Sequence, residues 1–163
     1  MNNLENLFEI GMDRKIPSIK SFRNPNMINL GCGIKTIEGA VNLDYPEWDA
    51  DVSPIPVADG AVDVICAFHF LEHIADPVGM LQEFQRVLAP GGVANIVVPY
   101  YTSQMQAHDL DHKSQFCEDT WKILFSNPYY NKNKIEWHFK IGTNVIMGIA
   151  ERNLALITQL VRE

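Results

Sequence analysis

The sequence predicts an α/β fold with a doubly wound, mostly parallel sheet, and three observations carry this prediction. The main apolar runs are continuous, one well-bounded helix lies between two of them, and a glycine pair follows the first run. Continuous apolar runs are typical of strands that are covered on both faces, as in parallel sheets. A chain of 163 residues has the size of one ordinary domain, so we expect a single domain over residues 1–163.

Four apolar runs are predicted to be strands, over residues 27–30, 40–43, 62–68 and 93–98. Only residues 32–39 separate the first two runs, whereas a parallel crossover normally takes about a dozen residues or more. If these two strands pair, the helix between them is reduced to about one turn.

The clearest helix lies between the third and fourth runs. Asp76 is a favourable N-cap, and Pro77 suits the first helical position. Apolar residues then recur at the spacing of one helical face, at Met80, Leu81, Phe84, Val87 and Leu88. The Pro90-Gly91-Gly92 triplet is expected to end the helix, and the strand–helix–strand order predicts a parallel βαβ crossover. Arg86 is expected to be a surface or helix-anchoring residue rather than a ligand contact.

The sequence after Pro99 gives weaker signals. A short helix is predicted over residues 118–125, because apolar side chains share one face there. Residues 134–141, 145–150 and 154–161 are predicted to be strands that end the fold in an antiparallel hairpin. Residues 145–161 also fit a single helix, and the sequence leaves that alternative open.

Composition and charge restrict the kind of protein and its partners. No apolar run approaches the roughly 18 residues of a membrane span, and residues 1–10 lack the pattern of a signal peptide. The three cysteines are widely spaced and include no C-x-x-C pair, which fits a reducing compartment. The net charge of -7 and the scattered Lys and Arg residues disfavour a nucleic-acid partner. We therefore expect a soluble cytoplasmic protein without a membrane partner.

The stretch MINLGCGIKTIEGAVNLDY, residues 27–45, contains the most informative loop. Glycines at Gly31 and Gly33 let the backbone turn sharply and let a ligand lie against it. A dinucleotide site would need a third glycine, but Thr36 occupies that position, so a phosphate-bearing cofactor is disfavoured. A ligand with a ribose and a zwitterionic tail needs only the loop backbone and an acid after the next strand, where Asp44 stands. An isolated G-x-G is also common as a plain turn.

Four segments follow one another in an informative order: INLGCG, GAVNLD, ADVSPIPVADGAVDVICAFHFLEHI and EFQRVLAPGGVANIVVP. Together they cover residues 27–99 and resemble the class I S-adenosylmethionine-dependent methyltransferases of the compact, single-domain type. This resemblance implies a Rossmann-like fold and S-adenosylmethionine as cofactor. It also implies an N-terminal extension over 1–26, a cofactor-binding core over 27–99, an acceptor-site segment over 100–134 and C-terminal strands over 135–163.

The same resemblance implies a set of cofactor-binding residues: Asn29, Gly31, Cys32, Gly33, Asp44, Asp51, Val52, Phe68 and His69. The loop from Gly31 to Gly33 would line the methionine part, and Asn29 stands where many relatives have an acid. Asp44 would hold the ribose. Asp51 and the backbone of Val52 would meet the adenine, and the pair Phe68 and His69 would border the sulfonium.

Methyl transfer depends mainly on alignment, but a hydroxyl acceptor would also need a base, for which histidine is suited. The candidate catalytic residues are His69, His73 and His112. A purely structural role fits His73 equally well. The HDLDH stretch that ends at His112 is interpreted as an acceptor pocket or a plain polar loop, and no metal site is predicted, because two histidines four apart lack the intervening glutamate of the zinc-protease helix.

The function predicted from the sequence is methyl transfer from S-adenosylmethionine to an unidentified acceptor, most simply a small molecule. A non-catalytic S-adenosylmethionine-binding or accessory protein with the same fold is the alternative. A nicotinamide oxidoreductase is disfavoured by the missing third glycine. The oligomeric state is left open.

Overall fold

The computed structural model of this chain describes residues 27–128, 134–150 and 153–163. Within these residues the strands are β1 (Met27–Leu30), β2 (Val41–Leu43), β3 (Val62–Phe68), β4 (Leu88–Pro99), β5 (Phe139–Ala150) and β6 (Asn153–Arg162). The helices are α1 (Pro77–Val87), α2 (Gln104–His108) and α3 (Asp119–Ser126), and a 3₁₀ turn covers Leu71–His73. The predicted extension over 1–26 and the part of the predicted acceptor segment at 129–133 lie outside the described residues.

One sheet joins the six strands in the order β2-β1-β3-β4-β6-β5. The strands β2, β1, β3 and β4 pair in parallel, and β6 is antiparallel to both β4 and β5. This topology confirms a mostly parallel sheet with a C-terminal antiparallel hairpin. A single helix over 145–161 is wrong, and the predicted strands at 134–141 and 145–150 are one strand that begins only at Phe139.

The connection between β1 and β2 contains turns and no helix. The expected single helical turn is therefore absent, yet the two strands pair in parallel, with Ile28 opposite Val41 and Leu30 opposite Leu43. A hydrogen bond from the Lys35 amide to the Cys32 carbonyl (2.7 Å) closes one of these turns. The short crossover thus brings the glycine loop directly against the end of β2.

Helix α1 begins as predicted but ends earlier. The Asp76 side chain accepts a hydrogen bond from the amide of Gly79, and Pro77 occupies the first turn. The helix ends at Val87, before the Pro-Gly-Gly triplet, because Leu88 is already extended and pairs with Val62. The triplet lies within an irregularity of the β3–β4 pairing.

Both faces of the central strands β1 and β3 are largely buried, as their continuous apolar runs predict. One face packs against α1 and α3 in a large cluster that includes Ile65, Phe84 and Trp121. The opposite face buries Cys66 and Val97 in two smaller clusters. Among the described residues, no helix has the length and apolar character needed to cross a membrane.

Candidate cofactor and acceptor site

A groove lies at the carboxyl ends of the parallel strands, where open α/β sheets normally bind ligands. It consists of two adjoining cavities of about 330 and 240 Å³ that share Gly31 and His69. The glycine loop and Phe68 line the larger cavity. The smaller one contains Asp44, Asp51 and His73.

Gly31 and Gly33 turn the backbone sharply where β1 ends. Their φ angles are +63° and +50°, in the region that side chains other than glycine rarely adopt. A Cβ atom added to Gly31 would lie 2.7 Å from Cδ2 of Phe70, so only glycine fits between the strand end and that ring. The loop therefore presents bare backbone to the larger cavity.

Cys32 lies between the two glycines and is half-buried. Burial, followed by the nearby Asp44 carboxylate, raises the pKa of its thiol. The thiol therefore stays protonated near neutral pH and is a poor nucleophile.

Asp44 directly follows β2 and faces the glycine loop. Its Oδ2 accepts a hydrogen bond from the amide of Gly33, and its Oδ1 accepts one from the amide of Tyr45 (2.9 Å). Each carboxylate oxygen can accept a further hydrogen bond. Asp44 is thereby held at the groove with capacity to bind a pair of hydroxyl groups.

Asn29 has a structural role that the sequence did not predict. It is buried, and its Nδ2 donates to the Lys35 carbonyl and to Oδ1 of Asn42, both at 2.9 Å. Oδ1 of Asn42 accepts a hydrogen bond from the Ile37 amide (2.8 Å), and its Nδ2 donates one to the Ile37 carbonyl (3.0 Å). This pair of asparagines ties the helix-free crossover to the sheet. A polar residue within so short an apolar strand is the signal that could have identified Asn42.

Asp51 is engaged by groups from two other segments. Its Oδ1 accepts from the amide of Ala75 (2.8 Å), and its Oδ2 pairs with Nζ of Lys113 (2.7 Å). The hydrogen bond from Lys113, and then that from Ala75, lower the pKa of the Asp51 carboxyl, which stays ionised. Val52 is largely exposed and lines a shallow cavity next to Asp51. Their contact with adenine stays a prediction.

Phe68 and His69 end β3 at the junction of the two cavities. His69 adopts a positive φ of 52°, and its Nδ1 lies 3.2 Å from Oε1 of Glu72. Glu72 is fully buried in the 3₁₀ turn. His69 and His73 were predicted site residues but Glu72 was not, because burial of a charged residue in a turn has no sequence pattern.

The structure brings His73 and His112 together, although α1, β4 and α2 separate them in the chain. Their ring centroids are 4.7 Å apart in an edge-to-face arrangement. The backbone amides of Lys113 and Ser114 donate to the Glu72 carbonyl at 2.7 and 3.2 Å, which fixes this segment on the turn. His108, at the other end of the HDLDH stretch, is exposed.

The mostly parallel sheet with its antiparallel hairpin is the Rossmann-like fold that the resemblance implies, and the glycine turn after β1 and the acid after β2 lie at the ends of neighbouring strands in it. Residues 29–96 match the family of the methyltransferase domain. The match covers less than half of the chain and confirms, over that segment, the resemblance seen in the sequence.

Relatives and solved structures agree with this assignment. A Mycolicibacterium smegmatis protein named "Probable S-adenosylmethionine-dependent methyltransferase" is 36% identical over 62 residues, which cover 36% of this chain and 24% of that protein. A second relative, the "Uncharacterized 37.1 kDa protein in transposon TN4556" of Streptomyces fradiae, is 43% identical over 42 residues, which cover 26% of this chain and 12% of that protein. This chain therefore matches less than a quarter of the length of either relative.

Two solved structures share the fold at low sequence identity. The YcgJ protein of Bacillus subtilis superimposes with a TM-score of 0.59 at 12% identity and covers 98% of both chains. The 1,6-didemethyltoxoflavin-N1-methyltransferase of Burkholderia thailandensis, solved with 1,6-didemethyltoxoflavin and S-adenosylhomocysteine, has a TM-score of 0.57 at 11% identity, covering 98% of this chain and 79% of that one.

Proposed function

We propose that this protein binds S-adenosylmethionine in the groove and transfers its methyl group to an acceptor. One observation carries the proposal: the glycine turn, Asp44 and the strand end at His69 come from three separate parts of the chain and converge on one groove. The groove lies at the strand ends of a domain whose family consists of methyltransferases.

The residues present fit the cofactor. The bare backbone at Gly31 leaves room that a Cβ atom would fill, which suits the methionine part in the larger cavity. Asp44 has acceptor capacity for both ribose hydroxyls. In the smaller cavity Trp48, Phe70 and Ile74 offer an apolar lining for the adenine ring, with Asp51 at its border.

Methyl transfer requires an acceptor aligned with the sulfonium. S-adenosylmethionine, when bound, supplies an electrophilic methyl group. His69 lines both cavities, so we propose that it hydrogen-bonds the acceptor beside the sulfonium, while the buried Glu72 holds its ring. His73 lines the smaller cavity, and the ring of His112 packs against it. Alignment of this kind supplies much of the rate enhancement in bimolecular reactions.

A small molecule is the acceptor that we propose. The cavities have the size of small-molecule sites, and the net charge of -7 opposes binding to a phosphate backbone. We also infer a cytoplasmic location, because the three cysteines Cys32, Cys66 and Cys117 are unpaired thiols.

Calorimetric titration with S-adenosylhomocysteine and with NAD tests the cofactor. We expect S-adenosylhomocysteine to bind. Asp44→Ala should weaken its binding free energy by about 1–3 kcal/mol, because charge-assisted hydrogen bonds to the ribose are lost. Glu38→Ala, which removes an exposed acid from the same crossover, should leave the affinity unchanged. Binding of NAD alone, or equal affinity in both variants, would contradict the proposed site.

Transfer itself is tested with labelled S-adenosylmethionine and pools of small acceptors, comparing the wild type with His69→Ala. The expected result is a labelled product whose formation falls in the variant by far more than the affinity for S-adenosylhomocysteine does, since His69 also lines the cofactor cavities. Cofactor binding without any transfer would favour the alternative of a non-catalytic S-adenosylmethionine-binding protein.

A further inference from the structure

We propose that Glu72, His73 and His112 bind a divalent transition-metal ion of the zinc type beside His69, at the edge of the smaller cavity. One ligand atom from each of these residues lies within 4.8 Å of the other two. Two imidazoles and one carboxylate form a donor set that suits zinc and neighbouring first-row metals.

The distances require only a small closure around an ion. Zinc bonds nitrogen and oxygen ligands at about 2.0–2.2 Å, so two ligand atoms on one tetrahedral ion are about 3.3–3.6 Å apart. The present spacing of up to 4.8 Å therefore needs each side chain to shift by less than about 1 Å. Rotation of the imidazole rings can supply this movement without a change in the backbone.

Glu72 points independently to a ligand. Its side chain is 0% exposed, and its Oε2 has no hydrogen-bond partner among the described residues. Its other oxygen, Oε1, lies 3.2 Å from Nδ1 of His69. A buried carboxylate oxygen without a partner is costly in free energy, and a bound cation would offset that cost.

His112 has the hydrogen-bond arrangement of a metal ligand. Its Nδ1 lies 3.3 Å from the Gln106 carbonyl, which can only accept, so Nδ1 carries the hydrogen and Nε2 keeps its lone pair. Metal-bound histidines typically donate their second nitrogen to a carbonyl or carboxylate in this way. The Asp109 carboxylate, 3.7 Å from Nε2, adds negative charge beside the site.

His73 connects the metal site with the groove. Its ring packs edge-to-face on His112 and lines the cavity that also contains Asp44 and Asp51. Three protein ligands leave a fourth position of a tetrahedral ion open.

The role of that open position rests on the proposed methyl transfer. An acceptor hydroxyl bound there would lose its proton to solvent more readily, because a metal lowers the pKa of a bound hydroxyl. Its oxygen would then form the bond to the methyl carbon as the carbon–sulfur bond breaks.

Titration of the metal-stripped protein with Co²⁺, followed by visible absorption, tests the site directly. We expect one equivalent to bind with a tetrahedral spectrum and no sulfur-to-cobalt band, since the ligands are nitrogen and oxygen. Competition with a chromophoric chelator then gives the Zn²⁺ affinity. His73→Ala and His112→Ala should each lower it by about 100-fold or more, since even outer-shell changes cost 10- to 100-fold.

Matched controls keep the outcome interpretable. His108→Ala removes an exposed histidine from the same segment and should bind metal as the wild type does. Glu72→Gln keeps the shape of the buried side chain, and its metal affinity should also fall. Zn²⁺ should also raise the melting temperature of the wild type, and this measurement needs no variant.

The proposal is overturned if the wild type binds no stoichiometric Co²⁺ or Zn²⁺, or if His108→Ala weakens binding as much as His112→Ala does. S-adenosylhomocysteine titrations on the same proteins separate the two proposals. Metal binding without cofactor binding would contradict the proposed function and leave the metal site intact, whereas the reverse result would overturn the metal site alone.

Discussion

Single residues shape the groove through their close contacts. Gly31 permits the turn after β1, Asp44 faces that turn, and the ring of Phe70 closes the space behind it. The left-handed backbone at Gly31 would be tolerated at some cost by other residues, but the contact with Phe70 would not. Backbone conformation and packing therefore impose the same residue for two separate reasons.

Gly31→Ala should lower both the melting temperature and the affinity for S-adenosylhomocysteine. The left-handed conformation costs roughly 1–2 kcal/mol in any residue with a Cβ, and the 2.7 Å approach to Phe70 adds a steric term. Gly39→Ala is the matched control, because its φ is +81° and no atom lies within 4 Å of the added Cβ. Equal losses in the two variants, measured by thermal unfolding and calorimetry, would show that the contact with Phe70 is unimportant.

At the scale of the element, α1 is tied to the irregular segment that precedes β3. Arg86 donates from Nη1 to the Val57 carbonyl (2.9 Å) and from Nη2 to the Ile55 carbonyl (2.8 Å). It also pairs with Glu83 and Asp59, both at 2.7 Å. Glu83 completes the arrangement by accepting from the amide of Ile55 (2.9 Å). Arg86 thus anchors the helix, as its position in the sequence predicts.

This cluster predicts a pH-dependent part of the stability. The hydrogen bond from Arg86, and then that from Ile55, lower the pKa of Glu83 below its ordinary value. A lowered folded-state pKa contributes stability above the unfolded pKa, and that stability is lost as the pH falls through the folded pKa. Glu83→Gln should therefore cost about 1–3 kcal/mol near neutral pH and progressively less below about pH 4.

Urea unfolding of the wild type and of Glu83→Gln between pH 3 and 7 measures this difference. The exposed acid at Glu38 provides the control, since Glu38→Gln should leave the unfolding free energy nearly unchanged at every pH. A Glu83→Gln difference that does not change with pH would contradict the assigned cause.

At the scale of the whole molecule, contacts between the segment after α2 and the segment before β3 hold the groove together. Lys113 follows α2, yet its Nζ lies 2.7 Å from Asp51 of the cofactor half, and its amide donates to the Glu72 carbonyl. The segment that contains His112 is thereby held over the ends of the parallel strands. The arrangement of this side of the groove therefore depends on long-range contacts.

Lys113→Met should raise the pKa of Asp51 toward its ordinary value, because the hydrogen bond from Lys113 is the main cause of the lowered pKa. Carboxyl titration by NMR measures that shift, and hydrogen exchange should show faster opening of residues 109–114. Lys140→Met, which removes an exposed lysine on β5, should change neither. An unaltered Asp51 titration would mean that the two halves are joined by other contacts.

Local sequence alone determined a large part of the fold. The continuous apolar runs predicted β1 to β4, and Asp76 with Pro77 predicted the start of α1, because burial and capping depend on neighbouring residues. The glycine turn and the acid after β2 could also be predicted, because a turn after a strand depends on neighbouring residues. The C-terminal hairpin was less certain, since its apolar residues also fit a helical period, and only the pairing of β6 between β4 and β5 excludes that alternative.

Tertiary structure alone decided how the site is assembled. The pairing of Asn29 with Asn42, the capture of Asp51 by Lys113 and the meeting of His73 with His112 all join residues that are distant in the chain. Periodicity and capping describe only a few consecutive residues, so they contain no information about which loops meet. The order of strands in the sheet settles that question, because it places the ends of β1, β2 and β3 side by side.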